Sequence, residues 1–463
     1  MRSRIFSLIL LLGIVLTASA KSPKYVFYFI GDGMGMGHVL TAETYNRTVR
    51  TDGKHLTMLG FPVTSMALSY SASSKITDSA AAGTALSTGT KTRNYMLGMT
   101  PYTLPCYSIA RDFKQKGYGV AIATSVAIDD ATPAAFYAHV PNRKEFYEIG
   151  LDLAKSGYDM FVGTKLRGLK DKNGKETDLL KVIADNGYTV ANGPKGYEKA
   201  KNCKKLLLLN TDTSVEHNGY TIDSVADNLK LPFITTACIE HLSKVSPDKF
   251  FMMVEGGNID WTAHANDAAT VVKEIVNFDE AIAVAYNFYL QHPDETLIVV
   301  TADHNTGGMA LGVEKGPKEV NLKNFDYQRI SLETLQRKCG EILKNKQAIT
   351  WDEMQSYLKE NFGLYGAIEV SAKRDKLLRD KFNKTFIERN STDEKTLYAT
   401  FSEFVATVFD VLDHCTGIGW TSHNHTGDFT PVFAVGVGAE VFGGLNNNID
   451  LPAKIRRLTG IGQ

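Results

Sequence analysis

The sequence predicts an α/β protein with a central, largely parallel β-sheet flanked by helices. Short apolar runs alternate along the chain with helical patterns, which is typical of βαβ units. The runs that are predicted to form strands of this sheet are residues 25–30, 120–124, 250–254, 297–301 and 432–437. Between them, apolar residues recur at intervals of three and four over residues 265–290, which predicts a helix.

The composition is that of an ordinary globular protein. The 463 residues include 51 Lys and Arg against 51 Asp and Glu, so the formal net charge is zero. Charged residues make up 22% and apolar residues 43% of the chain, which excludes a disordered chain and a collagen-like repeat. The balanced charge also excludes a strongly basic nucleic-acid binder, so no nucleic-acid partner is expected.

Residues 1–20 are predicted to form a secretory signal peptide. Arg2 and Arg4 precede a mostly apolar run over residues 5–16, and the small residues Ala18, Ser19 and Ala20 follow it. A run of about twelve residues is too short to span a hydrocarbon core ~30 Å thick. We therefore expect a periplasmic or secreted protein without a membrane span.

Carboxylates follow four of the five predicted strands. They are Asp32, Asp129, Glu255 and Asp303. Ligands of open α/β sheets bind outside the carboxyl ends of the strands, so these residues are the first indication of a site. The glycines around Asp32 do not have the G-x-G-x-x-G spacing of a dinucleotide-binding loop, and a carboxylate there is better suited to a hard cation.

Acidic and histidine residues gather in three clusters near the ends of predicted sheet elements. The clusters are Glu255, Asp260 and His264, then Asp303 and His304, then His423 and His425. Asp260 and His264 share one face if their segment is helical, because they are four residues apart. One cluster alone would be weak evidence, but the mixture of oxygen and nitrogen ligands suits zinc, and carboxylates with a hydroxyl suit magnesium.

Two further residues are candidates for phosphate chemistry. Ser79 precedes a run of small helix formers, so its hydroxyl is predicted at a helix N-terminus, where an anion is favoured. An ordinary helix cap is the alternative, and no G-x-S-x-G motif surrounds Ser79, so activation would have to come from a metal. Arg143 could be a surface charge or a bidentate phosphate clamp.

The segment 308–420 is polar, charged and helical, and it is predicted to be an insertion before the last metal-ligand motif. Capping boxes are predicted at Thr350 with Glu353 and at Ser391 with Glu394, and Gly363 is a candidate C-cap. The insertion could cover the site, form a subunit contact or be a solvated appendage.

Six motifs in order resemble the alkaline phosphatase family. They are G-D-G-M-G at 31–35, T-D-S-A-A at 77–81, D-A-T-P-A-A at 130–135, E-G-x-x-I-D-x-x-x-H at 255–264, T-A-D-H at 301–304 and H-T-G at 425–427. The resemblance covers residues from about 24 to 438 apart from the insertion. It implies an alkaline phosphatase-like catalytic domain over residues 21–463 that includes the 308–420 insertion.

The resemblance also implies roles for individual residues. Ser79 would be the nucleophile that becomes a phosphoserine, and Arg143 would hold the phosphate oxygens. The implied ligands are Asp260, His264 and His425 for one zinc, Asp32, Asp303, His304 and Ser79 for the second zinc, and Asp32, Thr132 and Glu255 for a magnesium. For the first zinc, His425 is preferred to His423 because Thr-Gly follows it.

The implied reaction is hydrolysis of small-molecule phosphate monoesters to an alcohol and inorganic phosphate. Asp130 and Trp261 would line the substrate site. Family members carry Asp or His at the position of Asp130, and Lys, His or Trp at the position of Trp261. Because the lysine that some members carry is absent at Trp261, we expect weaker binding and faster release of product phosphate than in the lysine-bearing members. One alternative is a phosphodiesterase or sulfatase of the same superfamily, and another is a non-catalytic scavenger of metal or phosphate. The resemblance also allows a homodimer.

Overall fold

A computed structural model of the protein describes residues 22–223, 227–314, 316–317 and 319–462. The predicted signal peptide lies outside the described residues. The strands in chain order are β1 (Tyr25–Gly31), β2 (Val63–Leu68), β3 (Gly119–Thr124), β4 (Met160–Gly163), β5 (Thr189–Asn192), β6 (Leu206–Leu209), β7 (Phe250–Gly256), β8 (Thr296–Ala302), β9 (Asn305–Thr306), β10 (Ala310–Leu311), β11 (Asp393–Lys395), β12 (Thr400–Ser402), β13 (Ile418–Gly419), β14 (His425–Thr426), β15 (Thr430–Gly436) and β16 (Leu445–Asn447).

Helices flank the strands along the whole chain. In chain order they are α1 (Met36–Thr48), α2 (Ser79–Thr88), α3 (Ile109–Gln115), α4 (Ala131–Ala134), α5 (Phe146–Lys155), α6 (Leu179–Asp185), α7 (Gly193–Ala200), α8 (Leu231–Val245), α9 (Asn258–His264), α10 (Ala268–Gln291), α11 (Leu332–Lys344), α12 (Trp351–Phe362), α13 (Ala372–Phe382), α14 (Glu403–Thr416) and α15 (Asp450–Thr459). Among the described residues, no helix is both long and apolar enough to cross a membrane.

Ten strands form one sheet in the order β16-β2-β15-β8-β1-β7-β3-β4-β6-β5. β15 runs antiparallel to its neighbours β2 and β8, whereas the other pairings in this sheet are parallel. All five strands predicted from the sequence lie in this sheet. The prediction of a largely parallel sheet flanked by helices is therefore confirmed.

The central strands are buried on both faces, as expected for a parallel sheet covered by helices. Along β1, Phe27 and Phe29 belong to the hydrophobic cluster on one face, and Val26 and Tyr28 belong to the cluster on the other. The register places the last residue of β1, Gly31, level with the ends of β7 and β8. The segments that follow these three strands therefore start at the same edge of the sheet.

The predicted insertion contains α11 to α14 and a hairpin formed by β11 and β12, and a third hydrophobic cluster consists almost entirely of its residues. Thr350 and Glu353 form the expected capping box of α12, and Gly363 ends this helix with φ of +72°. The capping box expected at Ser391 and Glu394 is wrong. Glu394 lies in β11, which pairs with β12, so cross-strand pairing replaces the helix that the local pattern favoured.

Candidate active site

Three strand ends bring acidic residues together at the carboxyl edge of the sheet. Asp32 follows β1, Glu255 is the penultimate residue of β7, and Asp303 follows β8. The chain turns at Gly33, which has φ of +71° and whose amide donates to Asp303 Oδ1 at 3.1 Å. A Cβ atom at this position would lie 2.7 Å from Asp260 Oδ1. Only glycine therefore fits where the first loop crosses the acidic cluster.

Histidine side chains face these carboxylates in two neighbouring groups. In one group, His304 Nε2 lies 3.3 Å from Asp32 Oδ1 and 3.2 Å from Asp303 Oδ2. In the other, Asp260 Oδ2 lies 3.5 Å from His264 Nε2, and Asp260 Oδ1 lies 3.7 Å from His425 Nε2. Asp260 and His264 both lie on α9, as their spacing suggested.

The structure brings His425 into this cluster and leaves the side chain of His423 outside it. The His423 side chain is 38% exposed, and its Nδ1 lies 3.0 Å from the carbonyl oxygen of His264. The ring of His425 instead stacks on that of His304, with centroids 3.7 Å apart. The two histidines differ in position because His425 is the first residue of β14. This strand pairs with β9, which begins directly after His304 and so brings the two rings together.

The hydrogen bonds of the imidazole rings fix which nitrogen faces the cluster. The Nδ1 of His264 donates to the carbonyl of His423, and the Nδ1 of His425 donates to the carbonyl of Thr77 at 2.8 Å. A carbonyl oxygen can only accept, so in the neutral rings both Nε2 atoms carry lone pairs. These Nε2 atoms lie 3.1 Å apart and close to Asp260. Lone pairs and carboxylate oxygens that face one another fit a shared cation.

Three of the buried carboxylates each have one oxygen without a hydrogen-bond partner. Within the described residues, Asp32 Oδ1, Asp260 Oδ2 and Asp303 Oδ2 are buried and accept no hydrogen bond. Burial and repulsion from neighbouring carboxylates raise the pKa values of Asp32 and Asp303, and burial raises the pKa of Glu255. Because unpaired buried charges are costly, this donor set fits divalent cations.

A hydroxyl and a further carboxylate adjoin the Asp32 side of the cluster. Thr132, on the short helix α4, donates to Asp32 Oδ2 at 3.4 Å. Glu255 accepts a hydrogen bond from Thr124, a residue that lies outside all six sequence motifs. Thr124 is the last residue of β3 and pairs with Glu255 across the sheet, so only strand register could have identified it.

Ser79 lies fully buried at the start of α2. Its Oγ is 3.2 Å from His304 Nε2, so the hydroxyl reaches the Asp32 and Asp303 group. The helix is capped by Asp78, whose side chain accepts from the amide of Ala81 at 3.0 Å. The hydroxyl therefore lies both beside the acidic cluster and at the partially positive end of a helix.

Arg143 is oriented by two carboxylates beside Ser79. Its Nη2 lies 3.0 Å from Asp130 Oδ1, and its Nη1 lies 3.4 Å from Asp78 Oδ2. The other oxygen of Asp130 lies 3.1 Å from Arg167 Nη1. Burial would raise the pKa of Asp130, but Arg167 and Arg143 bring it down to about 2. The sequence did not indicate Arg167, which lies in no motif.

Two aromatic residues border this charged group. Trp261, on α9, stacks on Tyr398 with ring centroids 4.5 Å apart and an interplanar angle of 9°. The guanidinium carbon of Arg167 lies 5.9 Å from the Trp261 ring. Tyr398 belongs to the insertion and lies in no motif, so the sequence alone did not place it near the site.

Asp129, which precedes Asp130, is expected to make stability depend on pH. Burial, opposed by Arg167, raises its pKa from 3.8 to about 7. Between these values the folded state holds a proton that the unfolded state has lost, so stability falls as pH rises through this range. From about pH 5 to about pH 8.5, the wild type should lose up to about 3 kcal/mol relative to Asp129→Asn. Urea unfolding of both proteins at the two pH values measures this, and an unchanged difference would contradict it.

The architecture and this cluster define an α/β protein with a buried serine beside two groups of potential metal ligands. The sequence model of the alkaline phosphatase family matches residues 23–160 and 173–461. The chain therefore belongs to the alkaline phosphatase family, whose members are hydrolases that act on phosphate esters.

Individual relatives agree with this membership. Alkaline phosphatase 4 of Bacillus subtilis is 29% identical over 447 residues, which cover 94% of this chain and 89% of that protein. Alkaline phosphatase of Escherichia coli is 29% identical over 338 residues, which cover 62% of this chain and 71% of that protein. The crystal structure of a cold-active alkaline phosphatase from Shewanella sp. superposes with a TM-score of 0.78 at 26% identity, covering 94% of this chain and 99% of that one.

Proposed function

We propose that the protein is a phosphate monoester hydrolase, an alkaline phosphatase in activity, that uses Ser79 as its nucleophile. The observation that carries the proposal is the position of the Ser79 hydroxyl, 3.2 Å from His304 Nε2 and at the start of α2. Arg143 forms an ion pair with Asp78, the residue before Ser79, and can present its guanidinium to the phosphoryl group that Ser79 would attack. A nucleophile and a guanidinium group are thus both found at the N-terminus of α2.

The metals that we propose are two zinc ions and one magnesium ion. Asp260, His264 and His425 would hold one zinc, and Asp32, Asp303 and His304 would hold the second, with Ser79 joining them. The magnesium would be held by Asp32, Thr132 and Glu255. When bound, these metals lower the pKa of adjacent hydroxyl groups and offset negative charge on the transferring phosphoryl group.

The residues of the chain account for binding and transfer. The guanidinium of Arg143 donates two N–H groups to phosphoryl oxygens, and the partially positive N-terminus of α2 favours the same anion. Ser79 Oγ loses its proton to solvent and attacks phosphorus, the ester P–O bond breaks, and the departing oxygen takes up a proton from solvent to leave as the alcohol. Water then attacks the phosphoserine, which releases inorganic phosphate and restores the hydroxyl.

Arg143→Lys is expected to lower kcat/KM for p-nitrophenyl phosphate and to weaken inhibition by inorganic phosphate, each by about tenfold or more. Lysine keeps the charge but loses the planar pair of donors that matches two phosphoryl oxygens. Steady-state kinetics with added phosphate measures both effects. Arg379→Lys, which changes an exposed ion pair with Asp375 on α13, is the matched control and should behave as wild type. Equal behaviour of Arg143→Lys and this control would contradict the role of Arg143.

The substrate class is tested by comparing rates on an aryl phosphate, a bis-aryl phosphate and an aryl sulfate. We expect the phosphate monoester to react fastest, because a diester has one fewer unesterified oxygen for Arg143 and the metals, and a sulfate ester carries one negative charge where the phosphate monoester carries two. Preference for the diester or the sulfate would replace the proposal with the corresponding activity. No turnover above the background of free metal ions would favour a scavenger.

Product phosphate should leave readily, because Trp261 supplies no charge to hold it. The nearby cation, Arg167, lies in ion pairs with Asp130 and Glu216, where Nε is 2.7 Å from Glu216 Oε2. The charge of Arg167 is therefore used to position Asp130, which in turn forms an ion pair with Arg143. We accordingly assign Asp130 and Trp261 to the substrate-binding surroundings and not to the transfer step.

A further inference from the structure

We propose that Tyr398 is a substrate-positioning residue through which the insertion contributes to the active site. This inference rests on the proposed phosphomonoesterase function and extends it to a segment with no family motif. Tyr398 would orient Arg143 with its hydroxyl and would form, together with Trp261, an aromatic wall beside the ester's leaving group.

The base of the hairpin that carries Tyr398 is anchored in the insertion. β11 and β12 pair over three residues each, and Phe401 of β12 is fully buried in the cluster formed by the insertion helices. The amide of Ser402 donates to Gln336 on α11 at 3.0 Å, and the hydroxyl of Ser402 caps α14. The base of the hairpin is therefore held against the helices of the insertion.

The tip of the hairpin is closed by its own hydrogen bonds. The amide of Thr396 donates to the carbonyl of Ala399 at 2.8 Å, and the amide of Ala399 donates to Thr396 Oγ1 at 3.1 Å. Within this turn, Leu397 is 52% exposed, whereas the Tyr398 ring packs against the site. A closed turn on an anchored base fixes the direction in which Tyr398 projects.

Tyr398 contacts both parts of the active site. Its ring stacks on Trp261 and meets the ring of His264 edge-on, with centroids 5.3 Å apart and an angle of 74°. Its hydroxyl oxygen lies 3.4 Å from Arg143 Nη2, the same nitrogen that binds Asp130. Tyr398 therefore links the proposed phosphate clamp to a proposed metal ligand.

These contacts assign separate tasks to the hydroxyl and to the ring. The hydroxyl accepts from Arg143 and thereby limits rotation of the guanidinium, so it should affect how tightly phosphate is held. The ring keeps Trp261 in place and offers an apolar face, which an aromatic leaving group can use and a small alkyl group cannot. The two tasks can be tested with two substitutions.

The test compares Tyr398→Phe and Tyr398→Leu in the metal-loaded full-length protein. Tyr398→Phe is expected to raise the Kd of inorganic phosphate, measured by calorimetry, and the KM of p-nitrophenyl phosphate by about three- to tenfold, more than it lowers kcat. Tyr398→Leu should show the same loss and should also reduce the preference for p-nitrophenyl phosphate over glycerol phosphate by about threefold or more. Tyr365→Phe, which removes a hydroxyl bonded to Asp375 elsewhere in the insertion, is the matched control and should change neither quantity.

The proposal is overturned if Tyr398→Phe binds phosphate as the wild type does, or if Tyr365→Phe shows the same loss. It is also overturned if Tyr398→Leu keeps the wild-type ratio of the two substrates. Thermal melts of all variants distinguish a local effect from unfolding. A wild type that hydrolyses no phosphate monoester would refute the proposed function itself, whereas an active wild type with an unaffected Tyr398→Phe would refute only the role of Tyr398.

Discussion

Ser79→Ala is expected to lower kcat for phosphate monoesters by about 10³-fold or more, because it removes the atom that would accept the phosphoryl group. The remaining site should still bind phosphate, since Arg143 keeps its ion pairs with Asp78 and Asp130. KM should therefore change much less than kcat. Steady-state kinetics on p-nitrophenyl phosphate, with and without a chelator, measures both constants.

The matched control for this substitution is Ser74→Ala. Ser74 is exposed, lies five residues earlier in the same segment and accepts a hydrogen bond from the amide of Ile76. Its loss should leave kcat near the wild-type value. Metal-dependent turnover that survives in Ser79→Ala would mean that water attacks the substrate directly, and the assignment of the nucleophile would be wrong.

Removal of metal is expected to abolish activity and to destabilise the fold. Without divalent cations, Asp32, Asp260 and Asp303 each leave a buried oxygen without a hydrogen bond. Ions that bind only the folded state should raise its stability by RT ln(1 + [L]/Kd), which is about 4 kcal/mol at a thousandfold excess over Kd. Dialysis against a chelator should therefore lower both activity and Tm, and zinc with magnesium should restore them.

Two neighbouring histidines provide a matched pair for the metal centre. His425→Ala should lower bound zinc and reduce activity by about 10²-fold or more, because its Nε2 faces Asp260. His423→Ala should keep both, because His423 contributes its backbone carbonyl, which accepts from His264. Elemental analysis together with turnover measures the outcome. Loss of zinc in His423→Ala and not in His425→Ala would reverse the assignment.

The sheet could be predicted because its strands carry a strong local pattern. β1, β7 and β8 are continuous apolar runs buried on both faces, and each ends at or beside a carboxylate. Short polar strands carry no such pattern. β11 was expected to lie near a helix start, because Ser391 and Glu394 have capping-box spacing, and only its pairing with β12 decides its conformation.

The same difference separates the site residues that could be predicted from those that could not. Asp32, Ser79 and His304 lie in short motifs at the ends of strands or helices, where the fold requires particular residue types. Arg167 and Tyr398 reach the site from segments without a motif, one through an ion pair with Asp130 and the other through a hairpin in the insertion. Their contributions depend on tertiary contacts, which a single sequence does not encode locally.

The most direct test of the central claim is to stop turnover with acid and to search for a phosphoryl group on the peptide that contains Ser79. We expect the wild type to carry a phosphoserine at Ser79 during hydrolysis of p-nitrophenyl phosphate, and Ser79→Ala to carry none. Mass spectrometry of the quenched, digested protein makes the measurement. Rapid turnover by the wild type with no phosphoryl group on Ser79 would contradict the account.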